Sequence, residues 1–100
     1  MSVYVDPMLP CLRNQKWRWP TSCHLMADSV DELVAFATGN LGLLARWLQH
    51  PATPGKVPHF DLTDGKRRQA VAAGAVEVTE RQAVCDLIER LRTQVGGRNP

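Results

Sequence analysis

The run His59-Phe60-Asp61-Leu62-Thr63-Asp64-Gly65-Lys66-Arg67-Arg68 carries the densest chemistry in this 100-residue chain. It reads as a short strand running directly into the start of a helix, with Lys66, Arg67 and Arg68 stacked at the helix's N-terminal end. That end of a helix is already positive, and its exposed N–H groups attract anions, phosphate above all. Three cations placed there carry an electrostatic cost that an anionic ligand would offset. Arg would grip a phosphate through a two-pronged fork and Lys as a point charge. A solvated basic face, partly neutralised by Asp61 and Asp64, is the competing reading.

A second constellation is His24, Asp28, His59 and Asp61, with Asp6. Imidazole and carboxylate together can ligate a divalent metal, or pair as general base and orienting acid. The spacing imposes no geometry by itself. His24 and Asp28 would share one face of a helix, yet the capping box Ser29-Val30-Asp31-Glu32 places Asp28 just ahead of the helix. There Asp28 can simply complement the helix's positive end. No His-Glu-x-x-His, nuclease or zinc pattern is matched, so the sequence names no metal ligands and no cofactor. His24 and His59 are the candidate general bases.

The run Lys16-Trp17-Arg18-Trp19 interleaves rings with cations, which can stack bases while contacting phosphate. Because Trp is usually largely buried, one of these rings is also expected to anchor a proline-rich loop on the core. Cys23 beside His24 resembles a nucleophile next to its base, but neighbouring side chains in an extended segment point opposite ways. All three cysteines, Cys11, Cys23 and Cys85, therefore read as structural thiols. They are odd in number and widely spaced, with neither a Cys-x-x-Cys pair nor a disulfide framework. A reducing cytoplasm is the expected compartment, since no signal peptide and no membrane-length apolar stretch is seen. The net charge of +2 is too small to argue for a nucleic-acid partner through bulk electrostatics.

These residues must be held by a small set of elements. Val3-Tyr4-Val5 is β-favouring and is stopped by Asp6-Pro7, so residues 2–6 read as a strand. The stretch to Pro20 is irregular, and residues 22–27 are extended. A helix starts at the Ser29 capping box, with Val30, Leu33, Val34 and Ala37 as its apolar stripe and Gly39-Asn40 at its end. Residues 43–49 fit either a helical face or a short strand. Residues 51–58 form a loop. Residues 57–62 alternate, placing His59 and Asp61 on one face and Phe60 and Leu62 on the other. Thr63 caps a helix closed by Gly74, and residues 75–78 form a strand. A second capping box, Thr79-Glu80-Arg81-Gln82, opens a last helix with Ala83, Val84, Leu87, Ile88 and Leu91 on its face. Residues 96–100 read as a flexible tail.

One hundred residues, 44% of them apolar, suffice for one domain with its own core, expected over residues 1–95. Strands alternating with helices predict a compact α/β fold: a small, mostly parallel sheet with flanking helices. Ligands of such sheets sit at the carboxyl ends of strands, where Asp6 and the His59 segment lie.

Several segments together resemble the small bacterial and bacteriophage family DUF4031, a domain of unknown function. They are Val3-Tyr4-Val5-Asp6, Cys23-His24-Leu25-Met26-Ala27-Asp28, Asp31-Glu32-Leu33 with Phe36-Ala37, and Trp47-Leu48-Gln49. Further on come His59-Phe60-Asp61-Leu62, Lys66-Arg67 and Gly74-Ala75-Val76-Glu77-Val78. The segments run in family order across nearly the whole chain. Phe60 stands where the family commonly has Tyr, and residues 7–21 and 50–58 look long for it. The resemblance implies that Asp6, His24, Asp28, His59, Asp61, Lys66 and Arg67 form one polar site. Similar domains occur beside HD-type phosphohydrolase domains, which points to nucleotide or phosphate chemistry by association only.

The expected function is binding of a phosphate-bearing small molecule such as a nucleotide. Lys66 and Arg67 would take the phosphate, Trp19 would stack on the base, and Asp6, Asp28 and Asp61 would orient the ligand. Turnover, if present, would be phosphoester or glycosidic-bond hydrolysis with His24 or His59 as base. The alternatives are a protein-interaction module, such as a phage-type inhibitor or adaptor, and a metal-dependent phosphohydrolase or nuclease.

Overall fold

The computed structural model describes residues 2–11, 17–50, 53 and 55–93. Along the chain lie β1 (Val3–Val5), β2 (Leu9–Pro10), β3 (Thr21–Ala27), α1 (Val30–Leu41), a 3₁₀ turn (Ala45–Trp47), β4 (Phe60–Leu62), α2 (Asp64–Ala72), β5 (Val76–Glu77) and α3 (Arg81–Leu91). Lys16 and the expected tail over residues 96–100 lie outside the described residues.

The expectation of an α/β fold holds, but the sheet is not mostly parallel. β3 is antiparallel to β1, β2 and β4, and only the β1–β5 pairing is parallel. Leu25 pairs with Val5 on one side and Phe60 on the other, so β3 is central. One reversed strand in the middle makes most of the pairings antiparallel. The cause lies between β1 and β3. A parallel return takes a crossover of about a dozen residues or more, usually a helix, whereas this stretch carries Pro7, Pro10 and Pro20 and spends residues on β2.

The two faces of the sheet follow from strand alternation. Val5, Cys23, Leu25, Phe60 and Leu62 point to one side, where Leu33, Ala37 and Leu41 of α1 and Ala70 of α2 complete the main core. Each such side chain of Leu or Phe size contributes about 1.5–3 kcal/mol on burial. On the other side Met26 packs with Leu87 and Leu91 of α3. His24 and Asp61 belong to that second face. Among the described residues, no helix is long and apolar enough to cross a membrane.

Local signals place the ends of most elements. Ser29 caps α1, its side chain accepting from Glu32 N at 3.1 Å. Gly39-Asn40 do not end that helix. It runs one residue further, because Leu41 extends the buried Leu33–Ala37 stripe, and Gly42 closes it at φ 68°. A left-handed residue there suits glycine. Thr63 caps α2 through Lys66 N at 3.2 Å. The second capping box does not form: Glu80 occupies the cap of α3 without a side-chain bond, and the Gln82 amide donates to Asp86 at 2.9 Å instead of reaching back. Residues 43–49 are neither a full helix nor a strand. The 3₁₀ turn is followed by a single bridge in which Gln49 and His59 exchange backbone bonds of 2.8 and 3.2 Å.

Candidate functional site

The sheet register builds a polar row across three strands. His24 in β3 stands opposite Asp61 in β4, and Asp6, one residue past β1, continues the ladder with its N–H donating to the His24 carbonyl at 3.4 Å. His59, two residues before Asp61, lies on the same face by alternation. Its ring meets His24 edge to face, with centroids 4.9 Å apart and planes at 90°.

Asp6 is the one buried charged residue among those described, 3% exposed. One carboxylate oxygen accepts the His24 backbone N–H at 2.6 Å and the other pairs with Nδ1 of its ring at 2.7 Å. The hydrogen bond to Asp6 outweighs burial and raises the His24 pKa above the ordinary imidazole value. His59 goes the other way. Burial lowers its pKa, with the neighbouring His24 adding to the effect and the Val57 carbonyl opposing it. Its Nδ1 lies 3.0 Å from that carbonyl, which makes Nδ1–H the donor and leaves Nε2 as the acceptor, 3.6 Å from Asp61 Oδ1. Two imidazoles with opposed proton preference thus share one site, an arrangement suited to proton transfer. His24, His59 and Asp61 also each offer one ligand atom, and the three atoms lie within 4.8 Å of one another.

Cys23 points to the opposite face and is buried. Burial, then the Asp6 charge, push its thiol up to about 12, so it is no nucleophile at neutral pH.

The cations at the start of α2 are engaged inside the fold. Lys66 Nζ donates to the Leu41 carbonyl at 2.7 Å and to Gln69 Oε1 at 3.3 Å. A cation at the C-terminal end of α1 is favoured by the dipole. Arg67 donates from Nε to the Asp6 carbonyl at 2.8 Å and from NH1 to Glu77 at 3.1 Å. Arg68 pairs with Asp64 on the exposed surface at 3.2 Å. The electrostatic cost apparent in the sequence is therefore offset by carbonyls and carboxylates of the protein itself.

Asp28 is not gathered with the others. It lies at the far end of β3, where it accepts from Ser2 N at 2.8 Å, Tyr4 OH at 3.0 Å and Arg90 NH1 at 3.2 Å. Four residue steps separate it from His24, about 13 Å at the usual strand rise.

Two clefts flank the polar row. An open one of about 290 Å³ is lined by His24, His59, His50, Lys56 and Ile88. A larger one of about 830 Å³ is lined by Trp17, Trp19, Trp47, Arg46, Lys66 and Asp61. Trp19 packs edge to face on Trp17 at 5.1 Å, while the Trp17 indole N–H donates to the Thr21 carbonyl at 3.2 Å. Trp17 is thereby tied to the start of β3, and Trp19 stays 41% exposed.

Sequence reasoning missed Arg46, whose place in the larger cleft depends on the 3₁₀ turn. It also missed His50, whose ring lies 5.9 Å from His59. His50 is the only non-glycine with positive φ (54°) among the described residues. The Gln49–His59 bridge puts it there, and no local pattern around His50 signals that pairing.

No curated protein and no solved structure matches the chain. The family model described as "Protein of unknown function (DUF4031)" matches residues 3–90. With the Val3-Tyr4-Val5-Asp6, Cys23-His24 and His59-Phe60-Asp61 steps all inside that span, the chain belongs to the DUF4031 family.

Proposed function

We propose that this domain binds a small molecule carrying both a flat aromatic group and a phosphate-type anion, a nucleotide being the simplest example. The observation that carries this reading is the larger cleft, which Trp17, Trp19 and Trp47 line together with the cations Arg46 and Lys66 and with Asp61. Stacking on an aromatic side chain is worth about 1–3 kcal/mol per base. Arg46 supplies a planar donor set, and the Lys66 ammonium keeps one of its three donors after its two internal bonds. Arg67 acts here by holding Asp6 and Glu77, behind the site. Asp61 connects the cleft to His59 and His24, the groups that would move a proton if the bound ligand is turned over, with phosphoester hydrolysis the reaction class that suits them.

Tryptophan emission of the full chain, titrated with nucleotides, phosphosugars and inorganic phosphate, tests the reading. Saturable quenching by a nucleotide, weakened at least tenfold by Trp19→Ala and by Arg46→Ala, is expected. A flat panel overturns it.

A protein partner is the second reading, favoured by the exposure of Leu44 (42%) and Trp47 (51%) on the same edge. Nucleotide-dependent stabilisation separates the two, since the second reading predicts none at the outset.

A further inference from the structure

We propose that His24, His59 and Asp61 together hold one divalent transition-metal ion, with Asp6 and the Val57 carbonyl orienting the two imidazoles from behind. The argument begins with the backbone. Directly opposed residues of an antiparallel pair have Cβ atoms about 4.5–5.5 Å apart, and His24 opposes Asp61. His59 comes from the same strand edge and is tied down by its own bridge to Gln49. Three potential ligands therefore sit on hydrogen-bonded strand positions rather than on free loops.

The distances suit one ion. Bonds of about 2.1 Å in a tetrahedral arrangement put neighbouring ligand atoms about 3.4 Å apart. His59 Nε2 and Asp61 Oδ1 are 3.6 Å apart, and all three ligand atoms lie within 4.8 Å of one another.

Both imidazoles also have the support that metal-bound histidines show. A ligating His almost always gives its other ring N–H to a carboxylate or a backbone carbonyl. His24 Nδ1 meets the Asp6 carboxylate at 2.7 Å, and His59 Nδ1 meets the Val57 carbonyl at 3.0 Å. Each ring thus keeps Nε2 for a ligand. Two imidazoles and one carboxylate select first-row ions of the zinc, cobalt, iron or manganese type over calcium, which prefers an all-oxygen shell. Cys23, adjacent in sequence, faces the opposite side of the sheet and contributes no thiolate. Three protein ligands leave a position open for water or an anion, and the cleft lined by His24, His59 and His50 gives access to it.

The inference stands apart from the nucleotide reading, because the metal alone is the probe. The 100-residue chain carrying Cys11→Ser and Cys85→Ser, stripped with chelator, is titrated with zinc chloride by calorimetry and with cobalt chloride by visible absorption. Binding of one ion per chain is expected, with cobalt ligand-field bands and no thiolate charge-transfer band. His59→Ala and Asp61→Asn each weaken binding at least tenfold with the circular dichroism spectrum retained, and Asp6→Asn weakens it by about 10–100-fold. Folded protein that binds no ion, or that binds equally well after His59→Ala and Asp61→Asn, overturns the proposal. If His24→Ala unfolds the chain, the two β4-side variants still decide it, since neither ligand side chain belongs to the main core.

Discussion

Asp6 holds His24 twice, by its backbone at 2.6 Å and by its ring at 2.7 Å. The strand pairing and the imidazole orientation are therefore set by one buried carboxylate. Removing the carboxylate uncouples two functions at once. Asp6→Ala leaves the His24 N–H without its acceptor and is expected to destabilise the domain by about 1–3 kcal/mol. Asp6→Asn retains an oxygen for that N–H and presents its amide to Nδ1, which must then accept. Nitrogen-detected NMR is expected to show the His24 proton on Nε2 in this variant and on Nδ1 in the parent. An unchanged tautomer would refute the orienting role.

Arg67 ties the end of β1 to β5 through the Asp6 carbonyl and Glu77. Lysine has no fork to span both partners. Arg67→Lys is expected to cost about 1.5–3 kcal/mol, the range for charge-assisted hydrogen bonds, read as a lowered midpoint in urea. Nucleotide quenching of the tryptophans, where present, is expected to keep its affinity. A selective loss of affinity at unchanged stability would instead place Arg67 on the ligand.

The Asp28 cluster is expected to contribute to acid stability. Burial alone would raise the Asp28 pKa, but the Ser2 N–H, Arg90 and Tyr4 outweigh it and hold the carboxyl below its ordinary value. A carboxyl that binds protons more weakly when folded stabilises the native state above the unfolded pKa, about 3.9. That contribution disappears as pH falls through the lower, folded pKa. Thermal scans from neutrality down to about pH 2 are expected to show a shallower acid limb for Asp28→Asn than for the parent. Parallel curves would show that the cluster adds nothing.

Thiol reactivity is expected to sort the cysteines by placement. Cys85 is exposed, Cys11 is intermediate and Cys23 is buried, with the Cys23 thiol pushed up to about 12. A disulfide reagent at neutral pH is expected to modify Cys85 first, Cys11 more slowly, and Cys23 only when denaturant unfolds the chain. Rapid modification of Cys23 in the native state would contradict its inward placement.

Much of this architecture was legible in local pattern. Thr63 capping α2, Phe60 and Leu62 turning inward, and His59 sharing a face with Asp61 all follow from spacing of one to three residues. What stayed hidden depends on tertiary partners. Lys66 and Arg67 look like an unpaired cationic stack until Leu41 and Asp6, 25 and 61 residues away, supply their acceptors. Asp28 was grouped with His24 by the family resemblance, because its spacing fixes no geometry, and four positions along an extended segment carry it out of reach. The direction of β3 was misread because helix–strand alternation suggests crossovers, whereas among the described residues no helix lies between β1 and β3.

The central, reversed strand has a kinetic consequence. Asp6 reaches His24 across 18 residues, Asp61 is delivered by a later strand, and Arg67 closes back on Asp6 across 61. Non-local pairings of this kind form slowly, because loop closure must precede any reward. No early hairpin contains the polar row, so it comes into existence only when the middle of the chain has docked on its beginning. Any ion or ligand that grips the row therefore binds a late product of folding and selectively slows the unfolding of the whole domain.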